Sequence, residues 1–307
     1  MEAFKYTQED SVLIRHEYEE INSNLIQIVT RKMDTKKNFL MRIIKCNYDK
    51  QKYKYHNIKE GDVCFFSRYV DTLKKFQLDN DSSKYSNAPM MQILGVFREE
   101  RMVLDSLEIL DGNVLVEPIE EVKEGGIILA QKEKAKCNIG RVVKHGKGGF
   151  FNKNWERREN PLVREGDIIL YWDNVATNIM FSGRTYLCIG DYSIIGTFTD
   201  GKVSVENLNM LDGRILLEEE REIKIGSIII PKDTTEQYEE YSRPENRFRV
   251  IKISDTGKEI KNNVFLSNEN IVEDSTVVID PAITRNVSFL DKDYVTVESI
   301  EDIHAVL

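Results

Sequence analysis

Four histidines, four cysteines, one glycine-rich loop and two runs of glutamate are the residues of this chain that could carry chemistry. His16, His56, His145 and His304 are far apart in sequence, and none recurs with a serine, cysteine or carboxylate partner as a nucleophile–base set requires. Cys46, Cys64, Cys137 and Cys188 form no C-x-x-C pair and none lies at zinc-ligand spacing from a histidine. They read as free thiols, buried or half-buried, in a reducing compartment. Gly146-Lys-Gly-Gly149 lacks the Gly-Lys-Ser/Thr ending of a phosphate cradle and runs into Phe150-Phe151, so it reads as a hairpin turn. Glu117, Glu120, Glu121 and Glu218-Glu-Glu220 read as solvated strand ends and not as tuned acid–base pairs. No enzyme, cofactor or metal site is expected.

A different pattern stands out. An apolar strand, Val114-Leu-Val116, passes into a charged stretch and then into Gly125-Gly126. The apolar triplet Ile127-Ile128-Leu129 follows, and after it a second charged stretch, Gln131 to Lys136. Such an order suits a sticky segment carried on a flexible loop. Burying three such side chains yields about 1.5–3 kcal/mol each, whereas ordering a loop costs about 1–2 kcal/mol per residue. One loop alone binds weakly, and useful affinity needs several loops engaging together. The competing reading is that the triplet is an ordinary strand facing a core.

The elements around this pattern recur. The first segment runs Val12-Leu-Ile14, Leu25-Ile-Gln-Ile-Val29, Phe39-Leu-Met-Arg-Ile-Ile44, Glu60-Gly-Asp-Val-Cys-Phe-Phe66 and Gln92-Ile-Leu-Gly-Val-Phe97. The middle segment repeats that order with Val114-Leu-Val, Gly126-Ile-Ile-Leu129, Gly140-Arg-Val-Val143, Glu165-Gly-Asp-Ile-Ile-Leu170 and Ile194-Ile-Gly-Thr-Phe198. The last does so with Ile215-Leu-Leu, Gly226-Ser-Ile-Ile-Ile-Pro231, Phe248-Arg-Val-Ile251, Glu273-Asp-Ser-Thr-Val-Val-Ile279 and Ile303-His-Ala-Val-Leu307. The junctions Leu110-Asp-Gly-Asn-Val and Leu211-Asp-Gly-Arg-Ile are near-copies. The period is roughly a hundred residues, the size of a domain, which divides the chain into residues 1–100, 101–200 and 201–307. Short strands rich in Val, Ile, Tyr and Phe, with polar turns and no 3.6-residue periodicity, make each copy all-β. A small copy of this kind protects its edges best by closing into a barrel.

Composition sets further bounds. The 307 residues are 41% hydrophobic and 31% charged, enough apolar content for sizeable cores. A net charge of −9 argues against a general nucleic-acid binder, which needs a basic face. No apolar run approaches a bilayer-spanning length, and Met1-Glu-Ala-Phe-Lys-Tyr6 has no signal-peptide core. No membrane partner is expected, and a cytoplasmic location is.

The middle copy resembles the GroES family of co-chaperonins. The resemblance is carried by Leu110-Asp-Gly-Asn-Val-Leu-Val, Glu124-Gly-Gly-Ile-Ile-Leu, Ile139-Gly-Arg-Val-Val-Lys-His-Gly, Val163-Arg-Glu-Gly-Asp-Ile-Ile-Leu and Ile194-Ile-Gly-Thr-Phe. The third copy matches through Asp212-Gly-Arg-Ile-Leu-Leu, Gly226-Ser-Ile-Ile-Ile-Pro231 and Glu301-Asp-Ile-His-Ala-Val; the first matches in outline only. The resemblance implies three tandem GroES-like β-barrels in a homo-oligomer. It implies mobile loops that dock on a nucleotide-bound chaperonin ring through Gly125, Gly126, Ile127, Ile128 and Leu129 and through Gly226, Ile228, Ile229 and Ile230. It also implies a roof hairpin within residues 146–161, carrying Phe150, Phe151 and Trp155. The family works as a sevenfold ring, which three-domain chains do not fill evenly. A second reading is therefore kept: a structural or assembly protein, such as a viral particle component, that reuses the barrel and binds other assembly proteins.

Overall fold

The computed structural model describes residues 9–16, 26–27, 39–53, 56–78, 81, 83–99, 102–119, 139–148, 161–172, 176–220, 222–225, 228–231, 247–254, 271–290, 292–299 and 302–306. Apart from short 3-10 turns, their regular structure is all strand. In chain order the strands are β1 (Ser11–Arg15), β2 (Ile26–Gln27), β3 (Leu40–Asn47), β4 (Val63–Phe66), β5 (Tyr85–Pro89), β6 (Ile93–Phe97) and β7 (Leu107–Ile109). Then come β8 (Asn113–Pro118), β9 (Ile139–His145), β10 (Ile168–Tyr171), β11 (Thr177–Phe181), β12 (Arg184–Gly190), β13 (Ile194–Phe198) and β14 (Leu208–Met210). The last are β15 (Ile215–Glu219), β16 (Glu222–Ile225), β17 (Ile228–Pro231), β18 (Arg247–Ile253), β19 (Thr276–Ile279), β20 (Arg285–Phe289), β21 (Lys292–Val297) and β22 (Ile303–Val306).

Three larger sheets form, in the orders β5-β1-β3-β4-β6-β7, β14-β13-β10-β9-β8-β12-β11-β2 and β20-β21-β15-β18-β19-β22, with β16-β17 as a separate two-stranded sheet. One five-strand pattern is common to all three: β5-β1-β3-β4-β6, β12-β8-β9-β10-β13 and β21-β15-β18-β19-β22. Irregularities recur with it. Register slips between Leu13 and Ile14 in the first sheet and at the equivalent Leu216/Leu217 in the third. It slips again at Phe65/Phe66, Leu170/Tyr171 and Val278/Ile279, one equivalent point in each sheet. A bulge bends its strand and adds local twist, so the sheets are bent at matching places. Closed barrels were expected; among the described residues each sheet runs from one edge strand to another and no pairing joins its ends.

The turn before the third strand of the shared pattern shows how local chemistry sets this bend. Gly61 and Gly166 have φ of 92° and 93°, and the third sheet places Asp274 there at 70°. In each sheet two backbone hydrogen bonds tie the turn to one residue: Gly61 and Asp62 to Ile43, Gly166 and Asp167 to Val142, Asp274 and Ser275 to Val250. A side chain then closes it, Asp62 accepting from the Lys59 amide at 2.9 Å, Asp167 from Arg164 at 2.8 Å and Ser275 Oγ from Val272 at 3.2 Å.

The segments linking the sheets are strands too. β7 pairs with β6, Gly95 opposite Ile109, and β14 pairs with β13, Gly196 opposite Met210. Glycine is required at Gly196, where a Cβ would lie 2.6 Å from the Asn209 carbonyl oxygen, and gives room at Gly95, where it would lie 2.9 Å from the Leu107 side chain and 3.0 Å from the Glu108 oxygen.

By packing, the chain gathers into two compact units. One comprises residues 1–118, 141–167 and 173–193, the other residues 119–140, 168–172 and 194–307. Among the described residues the first has a single apolar core in which Phe39, Phe65, Phe66 and Met90 join Leu115, Ile179, Phe181 and Cys188. The second has two: one around Leu170, Trp172, Ile195 and Leu216, the other around Leu217, Val250, Val277 and Val297.

Candidate partner-docking slot

Each sheet leaves one place where its chain departs between the first strand of the shared pattern and the next: between β1 and β3, β8 and β9, and β15 and β18. The mouths of the second and third slots are built alike. Ile119 donates its amide to the Ile139 carbonyl at 3.0 Å, and Glu220 donates to Arg247 at 3.1 Å. These bonds fix where residues 120–138 and 221–246 leave and rejoin their sheets.

Charged side chains brace the third mouth. Glu218 accepts from Arg249 at 2.5 Å and pairs with Lys292, and Glu220 accepts from the Thr276 hydroxyl at 2.7 Å. Burial pushes the Glu218 carboxyl up, but the Lys292 and Arg249 hydrogen bonds outweigh it and hold it below the usual glutamate range. At the second mouth, Arg184 reaches Glu117 at 3.4 Å from an exposed position, a contact worth little in water.

The expected docking residues fall as follows. Gly125, Gly126, Ile127, Ile128 and Leu129 lie outside the described residues, as do Gly226 and the roof residues Phe150, Phe151 and Trp155. Ile228, Ile229 and Ile230 are described: they form β17, paired antiparallel with β16, Ile230 opposite Ile223 and Ile228 opposite Ile225. The third triplet is thus a strand, but of its own hairpin and not of the third sheet. The first slot holds β2, which pairs with β11 of the second sheet. The apolar run of residues 25–29 carries no sequence signal of this partner. Nothing in a two-residue pairing across more than 150 positions signals itself in one sequence.

Three of the histidines have structural partners. His16 Nε2 lies 2.8 Å from Ser86 Oγ, both buried, and His56 Nε2 lies 3.1 Å from an Asp111 carboxylate oxygen. Two different histidines hold the serine and the acid, so neither pair is a nucleophile–base–acid set. Both pairings were missed in sequence, because each joins a histidine to a residue 55 or more positions away. His145 Nδ1 donates to the Gly146 carbonyl at 2.8 Å. Among the described residues no cluster of ligand-type side chains could hold a metal, and no helix is long and apolar enough to cross a membrane. Cys46, Cys64 and Cys188 are free thiols. Burial, with Glu60 and Asp62 nearby, pushes Cys46 up to about 11, and burial raises Cys64 and Cys188 as well. They are poor nucleophiles near neutral pH.

The shared strand pattern and its slot define a recurring β-sheet module, and comparison with known proteins assigns the middle copy. Residues 106–198 match the model of the chaperonin 10 kDa subunit family. The co-chaperonin GroES of Lactobacillus acidophilus is 34% identical over 82 residues, 27% of this chain and 85% of the relative. That of Lacticaseibacillus zeae is 32% identical over 91 residues, 29% of this chain and 96% of the relative. That of Wolbachia pipientis wMel is 32% identical over 90 residues, 29% and 92%. Through its middle third, the chain belongs to the GroES co-chaperonin family.

Proposed function

We propose that the chain is a co-chaperonin built of three tandem GroES-like copies, residues 1–100, 101–200 and 201–307. It docks Ile127-Ile128-Leu129 and Ile228-Ile229-Ile230, with Gly125, Gly126 and Gly226 as their flexible leads, on a nucleotide-bound chaperonin ring. It caps the folding chamber beneath a roof hairpin carrying Phe150, Phe151 and Trp155, and works as a homo-oligomer without a cofactor or catalytic residue. The observation that carries this reading is the match to nearly full-length GroES chains, 85–96% of each relative's length, across the middle copy. The recurring strand order and the equivalent slot mouths support extending it to the flanking copies. Several loops on one chain also answer the weakness of a single loop, because linked sites engage at high effective concentration.

A pull-down against a chaperonin, with and without ATP, tests this. The wild-type chain is expected to be captured only with nucleotide, and Ile128→Ser to lose most of that capture. Absence of wild-type capture in both states overturns the reading. The second reading, an assembly protein reusing the fold, is favoured by one observation: the first slot engages a neighbouring sheet of its own chain. It expects co-purification with a particle irrespective of nucleotide.

A further inference from the structure

His56 lies between β3 and β4 of the first sheet, and Asp111 in the junction between β7 and β8, where the second sheet begins. Their side chains meet inside the first unit: Nε2 is 3.1 Å from a carboxylate oxygen, with the imidazole 0% and the carboxyl 9% exposed. Backbone holds each in place. The His56 amide donates to Tyr53 at 3.0 Å, and Arg98, just after β6, donates to the His56 and Asn57 carbonyls at 3.1 and 2.9 Å. On the other side Asp111 has φ 51°, and the Asn113 amide donates to Leu110 at 3.1 Å. The amides of Gly146 and Asp191 donate to Asn113 and Gly112 at 2.9 and 2.7 Å. The pair therefore ties a turn of the first sheet to the point where the start of β8 and the ends of β9 and β12 converge.

Neighbouring charges have other partners. Arg98 pairs with Glu108 at 2.5 Å and Asp62 at 3.7 Å, and Lys147 reaches Glu108 at 3.5 Å. Before His56, Lys52 pairs with Asp10. The Tyr53 ring stands at nearly a right angle to the His56 ring, centroids 5.1 Å apart, with Tyr48 at 6.0 Å from Tyr53. Beside the Asp111 turn, the titratable side chains are the buried Asp191 and His145, whose Nδ1 lies 2.8 Å from the Gly146 carbonyl. A carboxylate buried beside a neutral imidazole keeps a net charge out of water, which is costly. A proton on the imidazole makes the pair neutral overall and adds an attraction that low-dielectric surroundings strengthen. Histidine is also the side chain that exchanges its proton near neutral pH.

We propose that His56 and Asp111 form a buried ion pair that works as a pH-sensitive latch, holding the His56 turn on the β7–β8 junction while the imidazole is protonated. The unfolded chain gives up this proton at about pH 6.5. The latch is therefore complete below that value and weakens as pH rises through the higher value of the folded pair. It belongs to the first unit and holds whichever reading of the docking triplets is correct.

The test uses the full chain with 13C-labelled histidine, whose four ring resonances are assigned by replacing one histidine at a time with glutamine. The His56 ring is expected to lose its proton above about pH 7.5, roughly one unit or more higher than in Asp111→Asn, where asparagine accepts the same positive φ. Titration at or below about pH 6.5 in wild type, or a value unmoved in Asp111→Asn, overturns the ion pair. Should Asp111→Asn fail to fold, the wild-type titration alone decides. Hydrogen exchange of the His56 and Asn113 amides then tests the latch. Corrected for the intrinsic rate, opening is expected to be about tenfold more frequent at pH 9 than at pH 5.5 in wild type, and equal at the two in His56→Gln. Equal opening in wild type overturns the latch. So does an undiminished pH dependence in His56→Gln, which would assign the effect to another group such as His145 or Asp191.

Discussion

Gly146 lies against the backbone of Asp111 so closely that a Cβ on it would sit 1.9 Å from the Asp111 carbonyl oxygen. The contact is where β9 ends on the turn that opens β8. The Gly146 amide donates to Asn113 at 2.9 Å, and Asp111 itself sits at φ 51° with its carboxylate toward the buried His56. The glycine that resembled part of a phosphate cradle in sequence serves this backbone crossing.

Gly146→Ala is therefore expected to destabilise the first unit strongly. The neighbour it would strike is backbone, which cannot rotate away, so the cost should reach or exceed the 1–3 kcal/mol or so typical of overpacking. Chemical denaturation followed by circular dichroism reads this as a lower midpoint. An unchanged midpoint would show that the crossing has room for a methyl group.

The matched turns separate backbone strain from packing. Nothing lies within 4 Å of a Cβ built on Gly166, so Gly166→Ala meets only the penalty of φ 93°. That penalty is about 1–2 kcal/mol for a residue bearing a Cβ. Asp274 stands in the same place in the third sheet, so Asp274→Gly should be neutral or stabilise by up to about 1 kcal/mol. Opposite signs for the two substitutions in thermal denaturation support the equivalence of the turns, and a loss in both contradicts it.

Much of this was legible in the residues. Glu60-Gly-Asp62 and Glu165-Gly-Asp167 announce a positive-φ glycine and a side chain that closes the turn, and both are present. The opening strands Val12-Leu-Ile14, Val114-Leu-Val116 and Ile215-Leu-Leu217 are buried as their apolar runs imply. What escaped is long-range pairing. β7 and β14 are three-residue strands, Leu-Glu-Ile and Leu-Asn-Met, too short for alternation to distinguish from a linker. Closure was expected from the small size of each copy, but edge protection is partly met by other means: β7, β14 and β2 each cover a sheet edge. For the docking triplets, sequence pattern remains the ground for Ile127, Ile128 and Leu129, while β17 adds a hairpin at the third.

The braced mouth of the third slot makes a pH-dependent prediction. Glu218 has its pKa lowered by folding, so its contribution is present above its unfolded pKa of about 4.3 and is lost as pH falls through the lower folded value. Glu218→Gln should cost roughly 0.5–1 kcal/mol at pH 7, the modest value of a partly exposed ion pair. The gap between variant and wild type should close as the pH drops below 4, and narrow in high salt. A pH-independent gap in thermal midpoint would assign the effect to packing.

Trp172 closes a ring of interactions in the second unit. Its Nε1–H donates to the buried Thr296 hydroxyl at 3.2 Å, that hydroxyl donates to the Arg285 carbonyl at 3.2 Å, and the Arg285 guanidinium lies 4.5 Å from the Trp172 ring centroid. Arg214 approaches the same ring at 5.2 Å. Trp172→Phe keeps an aromatic ring but removes the donor and weakens the quadrupole, and should cost about 1–3 kcal/mol. Arg285→Met keeps most of the stem without the charge and should cost about 0.5–1 kcal/mol. Because both act on one ring, the double variant should lose less than the sum by at least about 0.5 kcal/mol. Additivity of the two losses in denaturant titrations would mean that Arg285 rests over the indole without stabilising it.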